Sequence, residues 1–236
     1  MSTGEKRRKG RRAHAAPDDA KGAVLAAALV HVPFDGFTTK VLENAAREAG
    51  LAPGEVVRLF PAGPLSLVET FSEHADAEMA RLLAKTRLSN MKVRERISLA
   101  VKTRIAVLRP HKEAARRAAA FLTLPPNAAT GLKLLYNTVD AIWRAVGDTS
   151  TDFNFYTKRA ILAGVYSSTL MRWFSDTSDD EGITNAFIQR RIDDVMRFEK
   201  FKAQIRERAS GLPSLSDILN PAPRGRSPRR SGAKAG

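Results

Sequence analysis

Apolar residues recur along this chain at three- and four-residue spacings, and nowhere do β-branched residues alternate with polar ones over a useful length. Such a pattern predicts an all-α protein. Asp18 or Asp19 caps a first helix running to about His31, with Val24, Leu25, Ala28 and Leu29 inward. After Pro33, Thr38 or Thr39 caps a second helix that stops at Gly50. Pro53 opens a short third helix ending at Phe60-Pro61, and a fourth follows from about Pro64 with Leu65, Leu67, Val68, Phe71, Ala75 and Met79. A fifth runs from about Lys92 to Leu108, and an alanine-rich sixth from Lys112 to Leu122. The seventh, Ala128 to Val146, turns Leu132, Leu135, Tyr136, Val139, Ile142 and Trp143 inward.

The stretch 147–196 is the one the rest is organised around. A polar turn with Asp148, Ser150, Asp152 and Asn154 offers N-cap side chains to an eighth helix that opens on Phe155-Tyr156, Lys158 and Arg159. From Ala160 to Phe174 this helix is apolar on most sides, which predicts burial among other helices. An acidic turn, Asp176 to Glu181, leads to a ninth helix from near Ile183 to about Arg208, so the last two form an antiparallel hairpin. Core packing explains most of these side chains. It explains Phe155, Tyr156, Lys158 and Arg159 least, because aromatic rings and cations at a helix mouth tend to meet a partner.

Charge changes the picture at the ends. The net charge is +14, yet the first twelve residues hold six cations against Glu5, and Arg224, Arg226, Arg229, Arg230 and Lys234 stand in the last thirteen. Residues 13–223 carry 28 cations and 24 acids, so the excess sits on the tails. Residues 1–17 and 221–236 read as disordered. The basic ends suit an anionic membrane surface, with Leu212, Leu215, Ile218 and Leu219 adding shallow apolar insertion; the alternative is that they only solvate the chain or bind nucleic acid without specificity. There is no cysteine, and His14, His31, His74 and His111 lie far apart, so thiol chemistry is excluded and no metal-ligand spacing exists. No glycine-rich phosphate loop is present, and Ser167-Ser168 lacks an elbow. Neither enzymatic activity nor a cofactor is expected. No apolar run approaches the roughly 18 residues that span a bilayer, and no signal-peptide core follows the basic start.

Residues 20–85 have the layout of a helix-turn-helix unit, and Ala45 to Val56 followed by Phe60-Pro61 resembles the DNA-binding end of TetR-family repressors. Between Phe34 and Glu73, however, three cations (Lys40, Arg47, Arg58) face six acids, a sign that repels phosphate, so no specific DNA binding is expected. The apolar side chains of the last three helices either fill a core or surround a lipid-sized cavity, with Gly131 and Gly164 removing volume between bulky neighbours. The lining set in the second case is Leu135, Tyr136, Val139, Leu162, Val165, Tyr166, Leu170, Trp173, Ile188, Ile192 and Val195.

The segment TVDAIWRAVGDTSTDFNFYTKRAILAGVYSSTL, with FIQRRIDDVM after it, resembles the lipid-binding accessory proteins of ubiquinone (coenzyme Q) biosynthesis, the ninth Coq component. The likeness is dense from Leu132 to Met196, and Ser150-Thr151-Asp152-Phe153-Asn154 with Tyr156-Thr157 and Arg159 is its most specific motif. The resemblance implies a TetR-regulator-like bundle of about nine helices that has exchanged DNA reading for lipid binding. It implies a homodimer that binds isoprenoid quinone intermediates or phospholipid and presents them to the membrane-associated di-iron hydroxylase of the pathway. The family's partner patch maps onto Asp140, Ile142, Trp143, Asp152, Phe155, Tyr156 and Arg159. Members with a long amphipathic C-terminal helix use it on the membrane, whereas here Leu212 to Leu219 and an arginine-rich tail follow.

The organisation expected is thus a disordered basic arm (1–17), helix-turn-helix-like helices (18–89), a helical lipid-binding and dimerisation or partner region (90–210), and a short apolar segment with a disordered basic tail (211–236). The implied location is cytoplasmic and peripheral on the inner face of a bacterial membrane, or the matrix side in a eukaryote. Two other readings are a TetR-type transcriptional regulator with a hydrophobic ligand and an adaptor that binds the hydroxylase without lipid.

Overall fold

Helices begin where local chemistry can hold their free amides. Thr38 Oγ1 accepts from the Val41 amide at 3.3 Å to open α2 (Thr39–Glu48). Pro53 starts α3 (Pro53–Leu59), where Glu55 Oε2 accepts from the Ala52 amide at 3.0 Å, and Pro64 starts α4 (Pro64–Ala84). Gly50, with φ 76°, takes the left-handed conformation that lets the chain leave α2 and turn into α3. The computed structural model describes residues 17–148 and 153–210. Besides these three it contains α1 (Pro17–Asp35), α5 (Val93–Leu108), α6 (Lys112–Thr123), α7 (Ala128–Ala145), α8 (Phe153–Phe174) and α9 (Gly182–Ser210). No strand occurs among the described residues, and none of their helices is long and apolar enough to cross a membrane.

The described residues up to Ile192 form one compact unit. In it α1 packs on α2, α4 and α6, α4 on α5 and α7, and α7 on α8. Val24, Ala28 and Val32 of α1, Leu67 and Met79 of α4, Ala100 and Val101 of α5 and Val139 and Ile142 of α7 are fully buried. Each large aliphatic among them contributes about 1.5–3 kcal/mol. From Asp193 onward lies a second unit, whose described part is the remainder of α9. Of the expected disordered ends, Pro17 instead opens α1, while 1–16 and 221–236, like Ser150, Asp152 and the Leu212–Leu219 segment, lie outside the described residues.

Three further expectations are corrected. The first helix does not end near His31 but continues through Pro33 to Asp35. Burial of Val32 and a 2.9 Å bond from the Gly36 amide to the Val32 carbonyl sustain its last turn. On α7, Leu132 and Tyr136 face solvent rather than the core. Lastly, α8 is not buried all round: Tyr156, Ala160, Gly164 and Met171 form an exposed stripe. Its middle positions are small, so leaving them in water costs little apolar area.

Candidate ligand cavity and partner patch

The alanines of α6 and a glycine on α7 leave space inside the bundle. A cavity of about 160 Å³ lies among α4 to α8, lined by Val68, Phe71 and Ser72, by Arg104 and Leu108, by Ala115, Ala118, Ala119 and Leu122, by Gly131, Leu134, Leu135 and Thr138, and by Tyr166, Leu170 and Phe174. Gly131 lets α7 approach α6 closely: a Cβ there would stand 3.1 Å from the Leu122 carbonyl oxygen and 3.2 Å from its Cβ. An apolar cavity of about 150 Å³ holds a benzene-sized ring.

One end of this cavity is polar. Arg104 on α5 is only 4% exposed, and its Nε donates to Asp76 Oδ1 of α4 at 2.6 Å. Its Nη1 donates to the Tyr166 hydroxyl, and its Nη2 to Ser72 Oγ and to Thr138 Oγ1, each at 3.2 Å. Thr138 in turn donates to Asp76 Oδ2 at 3.0 Å. Four helices are thereby tied through one guanidinium, whose planar fork of donors suits it to that task. Burial disfavours the arginine charge, but Tyr166 and Asp76 outweigh it and raise the Arg104 pKa. Burial pushes the Tyr166 phenol up to about 12, with Arg104 pulling the other way.

Sequence reasoning missed Asp76 and Arg104. The available signal was a cation set among inward apolar positions, with Val101, Ile105 and Leu108 around Arg104. Of the residues expected to line a lipid cavity, the structure brings Leu135, Tyr166 and Leu170 together there. Val139, Leu162, Val165, Ile188 and Ile192 are buried but do not line it. Tyr136 is exposed, and Val195 falls in the second unit. Trp173 is fully buried at the α8–α9 turn, donating Nε1 to Glu181 Oε1 at 2.8 Å beneath Lys112. Gly164 lines nothing, for no atom lies within 4 Å of where its Cβ would stand.

A wider space of about 560 Å³ runs between α1, α4 and α5 to Pro110 and His111. Phe71 and Leu108 border both spaces. His74 and His111 stand along this groove, and the His111 pKa is lowered by burial and then by His74.

A second candidate site lies where α7 ends and α8 begins. Tyr156 is 67% exposed, and its ring meets that of Phe155 edge-on at 5.2 Å. Beneath them Arg159, 4% exposed, pairs with Asp140 at 2.7 Å. It also reaches Asp148 at 3.5 Å and the Phe155 carbonyl at 3.2 Å, and its guanidinium lies 3.4 Å from the Phe155 ring centre. Lys158 donates to Asp148 at 3.0 Å and lies over the Trp143 ring. The sequence leads one to expect Phe155 and Tyr156, partly exposed, beside Ile142 and Trp143, with Asp140, Asp152 and Arg159 rimming that apolar centre. Instead Ile142 is fully buried, Trp143 nearly so, and Asp140 and Arg159 form a floor under the aromatic pair. Burying an aliphatic is favourable, whereas a cation taken out of water requires a carboxylate partner, which Asp140 supplies.

Residues 128–199, which carry the α7–α8 mouth and two walls of the cavity, match the COQ9 family model. The chain is similar in sequence to the COQ9 proteins. It is 32% identical over 196 residues to rat "Ubiquinone biosynthesis protein COQ9, mitochondrial", an alignment covering 80% of this chain and 62% of the rat protein. It is 31% identical to the human COQ9 protein, with 80% and 61% covered, and 32% identical to that of Drosophila melanogaster, with 79% and 61% covered. The chain therefore spans about three fifths of the length of these COQ9 relatives. Among solved structures it resembles a TetR transcriptional regulator from Nitrosomonas europaea, with a TM-score of 0.60 and 15% identity over 74% of this chain and 97% of that one. At that identity the likeness shows the fold, a TetR-type bundle, and nothing of DNA binding.

Proposed function

We propose that this chain is a non-enzymatic lipid-binding accessory protein of ubiquinone biosynthesis, which holds isoprenoid quinone intermediates and presents them to the di-iron hydroxylase of the pathway. The observation that carries the reading is the cavity: apolar walls, a ring-sized volume and one polar end, inside a bundle similar in sequence to COQ9. The cavity has room for a ring but not for a polyprenyl tail, and the larger groove that shares Phe71 and Leu108 with it has the greater volume a tail needs. Phe155 and Tyr156 at the mouth of α8 supply the partner contact, with Arg159 and Asp140 holding their backbone and rings in place. Aromatic anchors over a rigid floor suit a hot spot.

The basic ends of the sequence bring the protein to an anionic membrane face as a peripheral protein. Its exposed α8 stripe of Ala160, Gly164 and Met171 suits close contact with a second copy, giving a homodimer. Native mass spectrometry of the protein purified from its own host tests the reading. A co-purified quinone precursor or phospholipid supports it. An empty protein that shifts a DNA probe overturns it in favour of a regulator.

A further inference from the structure

The donors at the polar end of the cavity outnumber the acceptors that meet them. A guanidinium carries five N–H groups. Arg104 directs Nε to Asp76, one Nη1 hydrogen to the Tyr166 hydroxyl, and Nη2 to Ser72 and Thr138. Among the described residues no acceptor takes the remaining Nη1 hydrogen, nor the hydrogen of the Tyr166 hydroxyl, which itself accepts from Arg104. Both side chains are more than nine-tenths buried and both line the cavity.

From this we infer that Arg104 and Tyr166 form a recognition socket for the ring of the bound ligand. The socket selects a neutral ring bearing carbonyl or ether oxygens over a phosphate-bearing head group. The inference rests on the lipid-binding reading above and gives it a chemical class. Unsatisfied buried donors are costly, so an occupant that brings oxygen acceptors is favoured over a plain hydrocarbon of equal size. Charge sets the second preference. Arg104 is already paired with Asp76, whose carboxylate lies 2.6 Å away, so the cluster is neutral as a whole. A phosphate would bring negative charge into the interior without a free cation to meet it, whereas a ring carbonyl accepts the same two hydrogens with no net charge. The volume agrees, since about 160 Å³ accommodates one substituted six-membered ring.

The test is calorimetric titration of the full chain with 2,5-dimethyl-1,4-benzoquinone, with p-xylene, which has the same ring and methyls but no oxygens, and with inorganic phosphate. The quinone should bind about three- to tenfold more tightly than p-xylene for each hydrogen bond gained, and phosphate should not bind in the cavity. Tyr166→Phe, which keeps the ring and the Arg104–Asp76 pair, should shrink the quinone preference while leaving p-xylene affinity within about threefold. The paired change Arg104→Met with Asp76→Leu, checked for helicity, should abolish the preference without leaving a buried charge. Equal affinity for the two aromatics in the unmodified protein would remove the socket and leave the lipid reading standing. Phosphate binding that Tyr166→Phe weakens would overturn the neutral-head preference. Binding of neither aromatic would remove the cavity as a ligand site and the lipid reading with it.

Discussion

Arg159 lies beneath Phe155, its guanidinium 3.4 Å from the ring centre while its Nη2 holds Asp140 at 2.7 Å. The ring proposed to meet a partner is thus set on a buried ion pair that spans α7 and α8. Scaffold and contact are carried by different residues, and substitutions should separate them. Tyr156→Ala removes a side chain that stands largely in water, so stability should change by no more than about 0.5 kcal/mol. At a hot spot its loss should weaken binding of the hydroxylase by about 2 kcal/mol or more. Arg159→Ala removes the buried cation between α7 and α8 but leaves Asp140 with Arg144 and Asp148 with Lys158, and should destabilise the fold by about 1–3 kcal/mol. Urea melts of both variants beside a partner pull-down check this, and unfolding by Tyr156→Ala would make the aromatic pair ordinary core.

Two glycines should respond in opposite ways. Gly131→Val forces a branched side chain against Leu122 and into the cavity, at a cost of about 1–3 kcal/mol. It should also block uptake of a small aromatic. Gly164→Ala meets open space on the exposed face of α8 and should stabilise the helix by about 0.5–1 kcal/mol. Thermal melts of the two variants are sufficient, and equal melting temperatures would show that the α6–α7 approach is soft.

Acid should loosen the α8–α9 turn. Hydrogen bonds from Ser178 and Thr184 hold the Asp176 carboxyl well below its ordinary value of 3.8, and Arg109, then Trp173 against the opposing effect of burial, lower that of Glu181 from 4.5. A carboxyl depressed by folding binds fewer protons than in the unfolded chain, so its contribution is present in full above these ordinary values and is lost progressively as pH falls below them and through the depressed folded values. Urea midpoints from pH 6 to pH 3 should fall, and Glu181→Gln should flatten that dependence. An unchanged slope in the variant would assign the acid loss to other groups.

Flotation with anionic vesicles should fade steeply as salt rises, because the charge excess sits at the ends of the chain and each cation near the surface contributes about 1 kcal/mol. Neutral vesicles that bind equally well would contradict an electrostatic attachment.

Much of the local architecture was legible in the residues themselves. Thr38, Pro53 and Pro64 announce helix starts, Gly50 a helix stop, and the inward positions Val24, Leu25, Ala28 and Leu29 of α1 are buried as their spacing predicts. These signals are short-range: caps, punctuation and periodicity act within a turn or two of the residues that carry them. The aromatic pair at the mouth of α8 was visible for the same reason, since it lies within a few residues of a helix start.

Only the tertiary structure decided which apolar residues enclose space and which polar ones meet. Arg104 is 28 residues from Asp76, 34 from Thr138 and 62 from Tyr166, and no periodicity within one helix reveals that four helices bring them together. Val139 and Leu135 stand on one helix four residues apart, yet the first is packed solid and the second borders a cavity. The difference lies in the neighbours, the small side chains of α6 and the missing Cβ of Gly131. In the same way Arg159 looked like a rim cation until Asp140 and Asp148 met it from α7 and the turn beyond. Hydrophobic pattern specifies that a face is buried. What it is buried against, and whether a buried charge finds its partner, depends on contacts between segments distant in the chain, and those exist only once the helices have packed.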